Sequence, residues 1–540
     1  MREIIDGTYR RFRWLVVGYT LSTVISAIAT IFIARLMGPE KYGIYTIGLM
    51  LPYLFTGLTD IGMSSAVTYY VSVFKDNDNM VGSYLRTALY FSACYSLILV
   101  VVVALFAPFF SLRLFGKPEL CLYFRISSSL IFSMAISGVC SGALLSVYMQ
   151  RAIGIYYILS SLARNVFSIK LFLIFKTPLW AAIGQVVGYI FSSIVYMIYT
   201  LSKLPKGPIN IDLLKKMIKY GFPYGLGIFV TTICIQFYNV IAAIIMDGVT
   251  YGNFSAAWVI FSGIIIIPNS LSRSLFPSFS ESIGRPKVSI IDAFSSTIKF
   301  TSALLLYLWL TTGGISDLLI GSIYGSRYVL AGEIFMYLSL VFVLGVIGWG
   351  VVRPVLLSMK ETKILAIINI GSVIISIVCI KILLSVYINK EILVIPLAFF
   401  ILHASSTLFG LIFLNRKYRV KLPIRSILKL LFITLLLFYL TRRIVYSSFK
   451  IEIGIFGMTI HLENITKLMI VFVVIGISYF VLLIIFKVIT RDDYEVIKAA
   501  LSTSPLIAKI IGKIAEPAFA VSKKIDEIIL RNNKNKRGID

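Results

Sequence analysis

Long apolar runs occupy most of this 540-residue chain, and each is long enough to cross a lipid bilayer as a helix. A bilayer-spanning helix needs about 20 mostly apolar residues, whereas strands of a membrane barrel have about ten residues of alternating polarity. The runs are continuous, so they predict helices. They cover roughly residues 14–37, 43–66, 85–107, 123–149, 153–175, 178–201, 221–246, 251–276, 300–320, 333–357, 364–387, 392–414, 427–447 and 467–489. We expect an all-α integral membrane protein with about 14 transmembrane helices.

The composition excludes the common classes of soluble protein. Hydrophobic residues make up 59% of the chain and charged residues 14%, against roughly 45–50% and about 25% in an ordinary soluble domain. A net charge of +27 would suggest nucleic-acid binding in a soluble protein. In a membrane protein, however, Lys and Arg collect in cytoplasmic loops, so we expect no nucleic-acid partner.

The distribution of Lys and Arg between alternate loops predicts the orientation of the chain. Fourteen spans place both termini on the same side of the membrane. If that side is the cytoplasm, the inner segments before the C-terminal tail carry 23 basic residues and the outer loops carry 10. This asymmetry is typical of positive-inside topology. We expect a multi-pass protein of the cell (plasma) membrane with both termini in the cytoplasm.

A repeat is visible when the sequence is shifted by 209 residues against itself. Tyr42-Gly43 then falls on Tyr251-Gly252, and in both copies this pair follows a short polar turn between two spans. Six spans separate the copies, so the copies share one orientation, as in parallel repeats related by an axis along the membrane normal. The predicted organisation is a first lobe of six helices (1–202), a second lobe of six helices (203–415), helices 13 and 14 (416–490) and a basic amphipathic cytoplasmic tail (491–540).

The sequence offers no arrangement typical of an enzyme. Its two histidines, His403 and His461, belong to no Ser/His/Asp or Cys/His pattern. The glycine-rich loop that binds nucleotide phosphates is absent, and the five cysteines lack metal-site spacing. We expect a protein that is not an enzyme and that needs no cofactor or metal.

Five ionisable side chains within the predicted spans are the candidate functional residues, because a charge in hydrocarbon costs several kcal/mol unless it faces protein or water. Arg164 lies near the middle of helix 5, too deep for easy contact with the interface. Arg273 and Arg353 lie toward the inner ends of helices 8 and 10, where a long side chain can also reach the interface. Lys381 lies in the outer half of helix 11, and Asp60 lies in helix 2.

The excess of bases over acids in this set favours an anionic substrate. A guanidinium group binds phosphate oxygens in a bidentate manner and stays charged at any working pH. We therefore take the four bases as candidate substrate-binding residues of a central cavity. A cation pump would need the reverse balance of charge.

Asp60 is the candidate charge partner or coupling residue. Under the 209-residue shift Asp60 falls on Asn269 and Ser64 falls on Arg273, so Asp60 and Arg273 are expected at similar depth on facing helices 2 and 8. One hypothesis is that Asp60 neutralises Arg273 until a phosphate arrives. The alternative is that Asp60 forms hydrogen bonds within its own lobe.

Three stretches carry a resemblance to a known family. They are IARLMGPEKYGIYTIG (Ile33–Gly48), LTDIGMSSAVTYYV (Leu58–Val71) and PNSLSRSLFPSFSES (Pro268–Ser282). They resemble the polysaccharide transporter family, which belongs to the multidrug/oligosaccharidyl-lipid/polysaccharide exporter superfamily. The resemblance covers the first twelve spans. It implies a 6 + 6 + 2 arrangement of helices and a basic central cavity.

The resemblance also implies a function. Family members flip lipid-linked oligosaccharides across the cytoplasmic membrane, so we expect a flippase for a polyprenyl phosphate or pyrophosphate glycan that works by alternating access. Its expected partners are the anionic lipid-linked glycan, membrane lipid and glycan assembly enzymes. The branch that transports cell-wall precursors carries arginines early in helices 1 and 2. Here helix 1 has none between Trp14 and Ala34, and the only ionisable residue deep in helix 2 is Asp60.

Two alternatives stay open. The first is a multidrug or cation-coupled small-molecule exporter of the same fold, which would need carboxylates in the lobes. The second is a membrane scaffold that recruits glycan enzymes through the basic tail at 491–540. Carboxylates within the first twelve spans would favour the exporter. Loss of glycan export after deletion of the tail, with the transmembrane part still folded, would favour the scaffold.

The predicted topology can be tested with an Asn464→Cys variant in a background without the five native cysteines. The new thiol should react with a membrane-impermeant reagent added to whole cells, because residue 464 is predicted to lie on the outer side. A Lys206→Cys control, on the predicted inner side, should react only after permeabilisation. Protection of position 464 would invert the orientation or remove one span.

Overall fold

The computed structural model describes residues 2–283, 290–386, 391–446, 453–455, 458–460, 462–491, 493–495 and 513–524. Nearly all of these residues are helical, with one short antiparallel strand pair, β1 (Ile453–Ile455) and β2 (Met458–Ile460). The chain divides into a first unit, Met1–Ala256, and a second unit, Ala257–Asp540. The division into lobes at 202/203 stays a prediction.

Nine helices lie entirely within the first unit as described, and a tenth continues past its end. They are α1 (Arg2–Gly48), α2 (Met50–Leu54), α3 (Met63–Val73), α4 (Asp78–Pro108), α5 (Leu120–Ser127), α6 (Leu130–Ser146), α7 (Gln150–Phe175), α8 (Pro178–Lys203), α9 (Ile211–Ile245) and α10 (Gly248–Ile264). A 3-10 turn at Thr56–Leu58 and a π-helical turn at Phe109–Leu114 complete the unit.

The remaining helices belong to the second unit. They are α11 (Ile266–Ile283), α12 (Ile290–Gly313), α13 (Ser316–Tyr324), α14 (Val329–Ser339), α15 (Val352–Ser358), α16 (Thr362–Val386), α17 (Glu391–Tyr418), α18 (Ile424–Tyr446) and α19 (Leu462–Ile485). A 3-10 helix at Leu340–Ile347 joins α14 to the turn before α15.

Eleven helical segments among the described residues are long and apolar enough to cross a membrane. The prediction of an all-α membrane protein is therefore confirmed, apart from the short β1–β2 pair. The predicted seventh and fourteenth spans appear as shorter apolar segments, Gln236–Ile245 in α9 and Phe472–Ile485 in α19. The count of fourteen spans stays a prediction.

The second predicted span, 43–66, differs most from expectation, because it is not one helix. After a turn at Gly38 (φ 73), α1 continues to Gly48, and α2, the 3-10 turn and α3 follow. The backbone is left-handed at Ile61 and Gly62, with φ values of 50° and 75°. A glycine adopts this conformation freely and an isoleucine rarely does, so the break has a conformational cost that other contacts must offset. The prediction of one continuous helix is wrong at this point.

Close backbone contact joins α1 and α7 in the first unit. A Cβ atom built on Gly18 would lie 2.3 Å from the Cα atom of Gly154, and one built on Gly154 would lie 2.5 Å from the carbonyl oxygen of Trp14. The hydroxyl groups of Ser26 and Ser161 lie 2.8 Å apart beside this contact. Small residues and hydroxyl groups of this kind stabilise helix pairs in membranes, where burial of apolar surface gives little driving force.

The C-terminal tail contributes packed helix to the second unit. The hydroxyl of Thr490 accepts a hydrogen bond from the backbone N–H of Asp493 at 3.3 Å, and an oxygen of Asp493 accepts one from the backbone N–H of Thr490 at 2.9 Å. This is a capping box. The same carboxylate pairs with Lys299 of α12 at 2.6 Å. Burial raises the pKa of Asp493, but the hydrogen bonds from Lys299 and Thr490 outweigh it and lower that pKa below its ordinary value.

The helical residues 513–524 have the amphipathic pattern predicted for the tail. Ala515, Ala518 and Ser522 are buried, whereas the lysines of this segment are exposed. The rings of Tyr494 and Phe519 lie 5.6 Å apart. The described part of the tail therefore packs against protein along one face. Its cytoplasmic position stays a prediction.

The contact between α1 and α7 predicts that Gly18→Ala destabilises the protein. The added methyl group has no room against Gly154, and overpacking of this kind typically costs about 1–3 kcal/mol. The matched control is Gly371→Ala in α16, where nothing lies within 4 Å of the new Cβ atom. Thermal unfolding in detergent should show a lower Tm for Gly18→Ala and an equal or higher Tm for the control. Equal Tm values for both variants would contradict the contact.

Candidate functional site

Arg164 lies near the middle of α7, as its position in the sequence predicted. Its Nε donates a hydrogen bond to the carbonyl oxygen of Ser160 at 3.2 Å, and its guanidinium carbon lies 5.1 Å from the centre of the Tyr189 ring in α8. The side chain is partly exposed. Among the described residues it forms no salt bridge, so several of its five N–H donors are available to a ligand.

The packing of α8 against α7 places Arg164 at a close helix contact. A Cβ atom built on Gly188 would lie 2.6 Å from the Cα atom of Arg164, so only glycine allows this approach. The aromatic ring of Tyr189, the next residue, then lies beside the guanidinium group. Cation–π contact stabilises a guanidinium group without neutralising it. The positive charge is therefore held in place and not cancelled.

A stripe of polar residues on α7 accompanies Arg164. Ser160-Ser161, Arg164-Asn165 and Ser168 recur at intervals of three to four residues, which places them along one side of the helix. The amide of Asn165 donates to the carbonyl oxygen of Ser161 at 2.8 Å, and the hydroxyl groups of Ser168 and Tyr45 lie 3.3 Å apart. The stripe was not among the features predicted from the sequence. The spacing of the serines was the available signal.

Asp60 is buried, with 7% of its surface exposed, and both of its oxygens accept backbone hydrogen bonds. Oδ1 accepts from the N–H of Gly62 at 3.0 Å, and Oδ2 accepts from the N–H of Ser64 at 2.9 Å. These N–H groups belong to the break before α3 and to its first turn, where no helical partner exists. Asp60 thus forms hydrogen bonds with backbone close to it in sequence, and its role as a charge partner stays a prediction.

The break beside Asp60 contacts α9 through backbone atoms. A Cβ atom built on Gly62 would lie 2.1 Å from the carbonyl oxygen of Gly221, and one built on Gly57 would lie 2.1 Å from the backbone nitrogen of Phe229. The aromatic rings of Phe55 and Phe229 stack with centres 6.4 Å apart. Asp60 therefore fixes the shape of a surface that another helix contacts directly.

A second contact joins the two copies of the Tyr-Gly motif. A Cβ atom built on Gly43 would lie 2.1 Å from the carbonyl oxygen of Gly248, and one built on Gly252 would lie 1.8 Å from the carbonyl oxygen of Pro39. The 209-residue shift exchanges Gly43 with Gly252 and Pro39 with Gly248, so each contact is the counterpart of the other. Reciprocal contacts of this kind are expected where a two-fold axis relates two copies.

Lys117 stabilises the same region. Its ammonium group donates to the carbonyl oxygens of Ala243 at 2.8 Å and Met246 at 2.5 Å, at the C-terminal end of α9. A cation at this end of a helix is favourable, because the last carbonyl groups have no helical partners and carry partial negative charge. The sequence indicated only that Lys117 was an outer-loop base.

The other candidate bases lie in the second unit. Arg353 is exposed in α15, and Lys381 is exposed in α16 among exposed apolar residues that include Val378 and Ile382. Arg273 lies in α11, but its side chain is outside the described residues, so its predicted pairing with Asp60 stays a prediction. That these bases share a cavity with Arg164 stays a prediction.

A match to a known protein family shows to which family the chain belongs. Residues 32–333 match the family described as "Polysaccharide biosynthesis protein". The chain belongs to this family. A protein of Shigella flexneri named "Putative O-antigen transporter" is 22% identical in an alignment over 283 residues that covers 49% of this chain and 65% of that protein. The chain thus matches somewhat less than two thirds of that relative's length.

Solved structures of low sequence identity share the fold. One is "Lipid II flippase MurJ, inward closed conformation", with a TM-score of 0.60 and 16% identity over 86% of this chain and 98% of that chain. Another is the inward-facing conformation of a multidrug resistance MATE family transporter of the MOP superfamily. Its TM-score is 0.55, with 15% identity over 75% of this chain and 98% of that chain. The family match confirms the resemblance found in the sequence, and the chain shares its fold with these two structures.

The hydrogen bonds of Asp60 predict how its substitution affects stability. Asp60→Asn keeps one acceptor oxygen and should lower the Tm, and Asp60→Ala, which removes both acceptors, should lower it further. Each unpaired buried N–H costs about 1–3 kcal/mol. The control is Asp212→Asn, an acid whose side chain is 81% exposed. If Asp60→Asn and Asp60→Ala unfold at the wild-type temperature but lose transport, the negative charge of Asp60 matters and not its backbone contacts.

Proposed function

We propose that this protein is a flippase that moves an anionic lipid-linked glycan, carried on polyprenyl phosphate or pyrophosphate, across the cytoplasmic membrane. The observation that carries the proposal is Arg164, a mid-helix arginine whose described contacts leave donors available and whose charge no described acid neutralises. The family match and the fold shared with a lipid flippase support it. The product would serve the assembly of surface polysaccharide or glycoprotein glycan.

The charge balance of the first unit favours an anion over a cation. A cation-coupled exporter needs a carboxylate that is free to bind the ion. Both oxygens of Asp60 already accept backbone N–H groups, which would have to be released before a cation could bind. Arg164, in contrast, offers N–H donors to phosphate oxygens. The multidrug alternative keeps the support of the shared MATE fold, but the hydrogen bonds of Asp60 do not favour it.

In an alternating-access mechanism, the contacts of α9 would break and form again as the protein opens to one side of the membrane and then to the other. Substrate would enter from the inner leaflet, bind its phosphate at Arg164, and leave toward the outer leaflet once the contacts at the Tyr-Gly motifs separate. Those contacts are formed largely by glycine backbone, together with two hydrogen bonds from Lys117. Arg273, Arg353 and Lys381 are proposed as further bases along the path.

The membrane potential would favour export of an anion. With both termini in the cytoplasm, outward movement of one negative charge from an inside-negative cell gains about 2.3 kcal/mol per 100 mV. Glycan assembly enzymes are proposed partners on either side of the membrane. The scaffold alternative assigns their recruitment to the tail at 491–540, and export by a protein without those residues would argue against it.

The proposal is tested by deleting the gene and complementing the deletion with variants of Arg164. The deletion should accumulate lipid-linked oligosaccharide, measured by lipid extraction and mass spectrometry. Arg164→Ala should fail to relieve the accumulation, and Arg164→Lys should relieve it partly, because an ammonium group lacks the bidentate geometry. The matched control is Lys170→Ala, an exposed base on the same helix, which should complement fully.

Two outcomes would contradict the proposal. Drug sensitivity of the deletion strain without any accumulated lipid-linked glycan would favour the exporter. Full complementation by Arg164→Ala, at a membrane level equal to wild type, would remove Arg164 from the substrate site. Immunoblots of the membrane fraction and thermal unfolding of each purified variant separate loss of transport from loss of folded protein.

A further inference from the structure

A cavity of about 510 Å³ lies in the first unit, away from Arg164. Four segments border it: the part of α1 at Trp14, the connection from α6 to α7 at Tyr148, the first turns of α7 from Gln150 to Ile155, and the end of α8 at Tyr199. Arg151 lies thirteen residues before Arg164 on α7, which corresponds to about 20 Å along a helix axis. The cavity is therefore a separate site from the one proposed for transport.

The side chains around this cavity combine one cation with aromatic rings. The guanidinium carbon of Arg151 lies 5.1 Å from the centre of the Trp14 ring. Trp14 and Tyr199 are 39% and 37% exposed, and Ile155 adds an aliphatic surface that is 52% exposed. Arg151 is itself exposed. The lining therefore offers charge to an anion and apolar surface to a hydrocarbon chain.

Tyr148 occupies a backbone position at which glycine is the favoured residue. Its φ is 62°, and the next N–H, that of Met149, bonds to the carbonyl oxygen of Leu144 at 2.8 Å, which is the pattern of a Schellman motif. A bulky residue in this left-handed position is uncommon. This strained backbone places the ring of Tyr148, which is 55% exposed, at the rim of the cavity.

Gln150 adds polar capacity to the lining. Its Oε1 has no hydrogen-bond partner among the described residues. An unpaired buried acceptor is unfavourable unless a donor reaches it. A hydroxyl or amine of a lipid head would supply one after rotation of the side-chain amide.

The predicted topology places this cavity at the inner surface of the membrane. Trp14 begins the first span, Tyr199 ends the sixth, and Arg151 lies in a short inner connection. Trp and Tyr are enriched at the level of the lipid head groups. The cytoplasmic leaflet carries anionic lipids, which attract bases at this depth.

We propose that this cavity binds the phosphate-bearing head of a lipid from the inner leaflet. Arg151 donates to the phosphate oxygens, Gln150 accepts from a hydroxyl or amine of the head, and Trp14, Tyr199 and Ile155 contact the first part of the hydrocarbon chain. Two lipids share this chemistry: an anionic phospholipid of the bilayer and the polyprenyl phosphate carrier. The carrier would use the cavity as a loading site, and only that assignment rests on the proposed function.

Quenching of tryptophan fluorescence by brominated lipid tests the proposal at Trp14. The full-length protein is reconstituted in nanodiscs that contain brominated phosphatidylglycerol or brominated phosphatidylcholine at equal mole fraction. The difference in quenching between wild type and Trp14→Phe reports the ring at the cavity. Phosphatidylglycerol should be preferred about fivefold, the effect expected of one base at an anionic surface. Arg151→Gln should abolish the preference.

A matched control separates the site from the general charge of the surface. Lys203→Gln removes the same charge from an exposed position near the end of α8 and should keep the preference. Equal quenching by the two lipids in wild type would overturn the proposal, as would an unchanged preference in Arg151→Gln. Equal loss in both variants would assign the effect to surface charge and would overturn it too.

A competition experiment distinguishes the two lipid sources. Unlabelled polyprenyl phosphate that reverses the quenching at near-stoichiometric amounts assigns the cavity to the carrier. Displacement only at mole fractions comparable to the phospholipid assigns it to bilayer lipid. Because this readout requires no transport, it stays valid if the deletion strain accumulates no lipid-linked glycan.

Discussion

The helices of this protein must associate in a solvent that is as apolar as their own side chains. Burial of hydrophobic surface gives little driving force there, so close van der Waals contact and interhelical hydrogen bonds must supply it. Glycine allows the closest approach. It forms the contact of α1 with α7, of the broken second span with α9, and of the two Tyr-Gly motifs with each other. The elements that would move during transport and those that stay fixed therefore use the same kind of contact.

The same solvent explains why an acid lies in the second span. A helix that breaks inside a membrane exposes backbone N–H groups that water cannot satisfy, and each unsatisfied group costs several kcal/mol. Asp60 satisfies two of them, at Gly62 and Ser64. The sequence alone suggests that Asp60 neutralises an opposite charge. The structure shows that a carboxylate can be required by the backbone alone.

The sequence was most informative about features that depend on length and periodicity. The apolar runs predicted the helical membrane fold, and the 209-residue shift predicted equivalent motifs at Tyr42-Gly43 and Tyr251-Gly252, whose contacts are reciprocal. The break at Ile61 and Gly62 was not predicted, because the length and hydropathy of an apolar run contain no information about backbone conformation. The contact of Lys117 with the end of α9 could not be predicted, because it joins residues more than 120 positions apart.

The candidate site was predictable in part for the same reason. The depth of Arg164 follows from its place in a 26-residue helix, so the sequence sufficed to select it. Its ring contact with Tyr189 depends on Gly188, whose effect on helix spacing appears only when two helices are packed. The pairing predicted for Asp60 and Arg273 would depend on how their helices pack as well as on their depth.

Arg164 differs from several other bases of the chain, which form salt bridges with acidic residues. Asp317 pairs with Arg442 at 2.5 Å, Asp493 pairs with Lys299, and Glu361 pairs with Lys417. Hydrogen bonds from Lys417 and Tyr418 lower the pKa of Glu361, so that carboxylate stays ionised and engaged. Acids near the ends of helices thus neutralise bases there. The described contacts of Arg164 are the carbonyl oxygen of Ser160 and the ring of Tyr189, and neither cancels its charge, so that charge is available to water or to an anionic ligand.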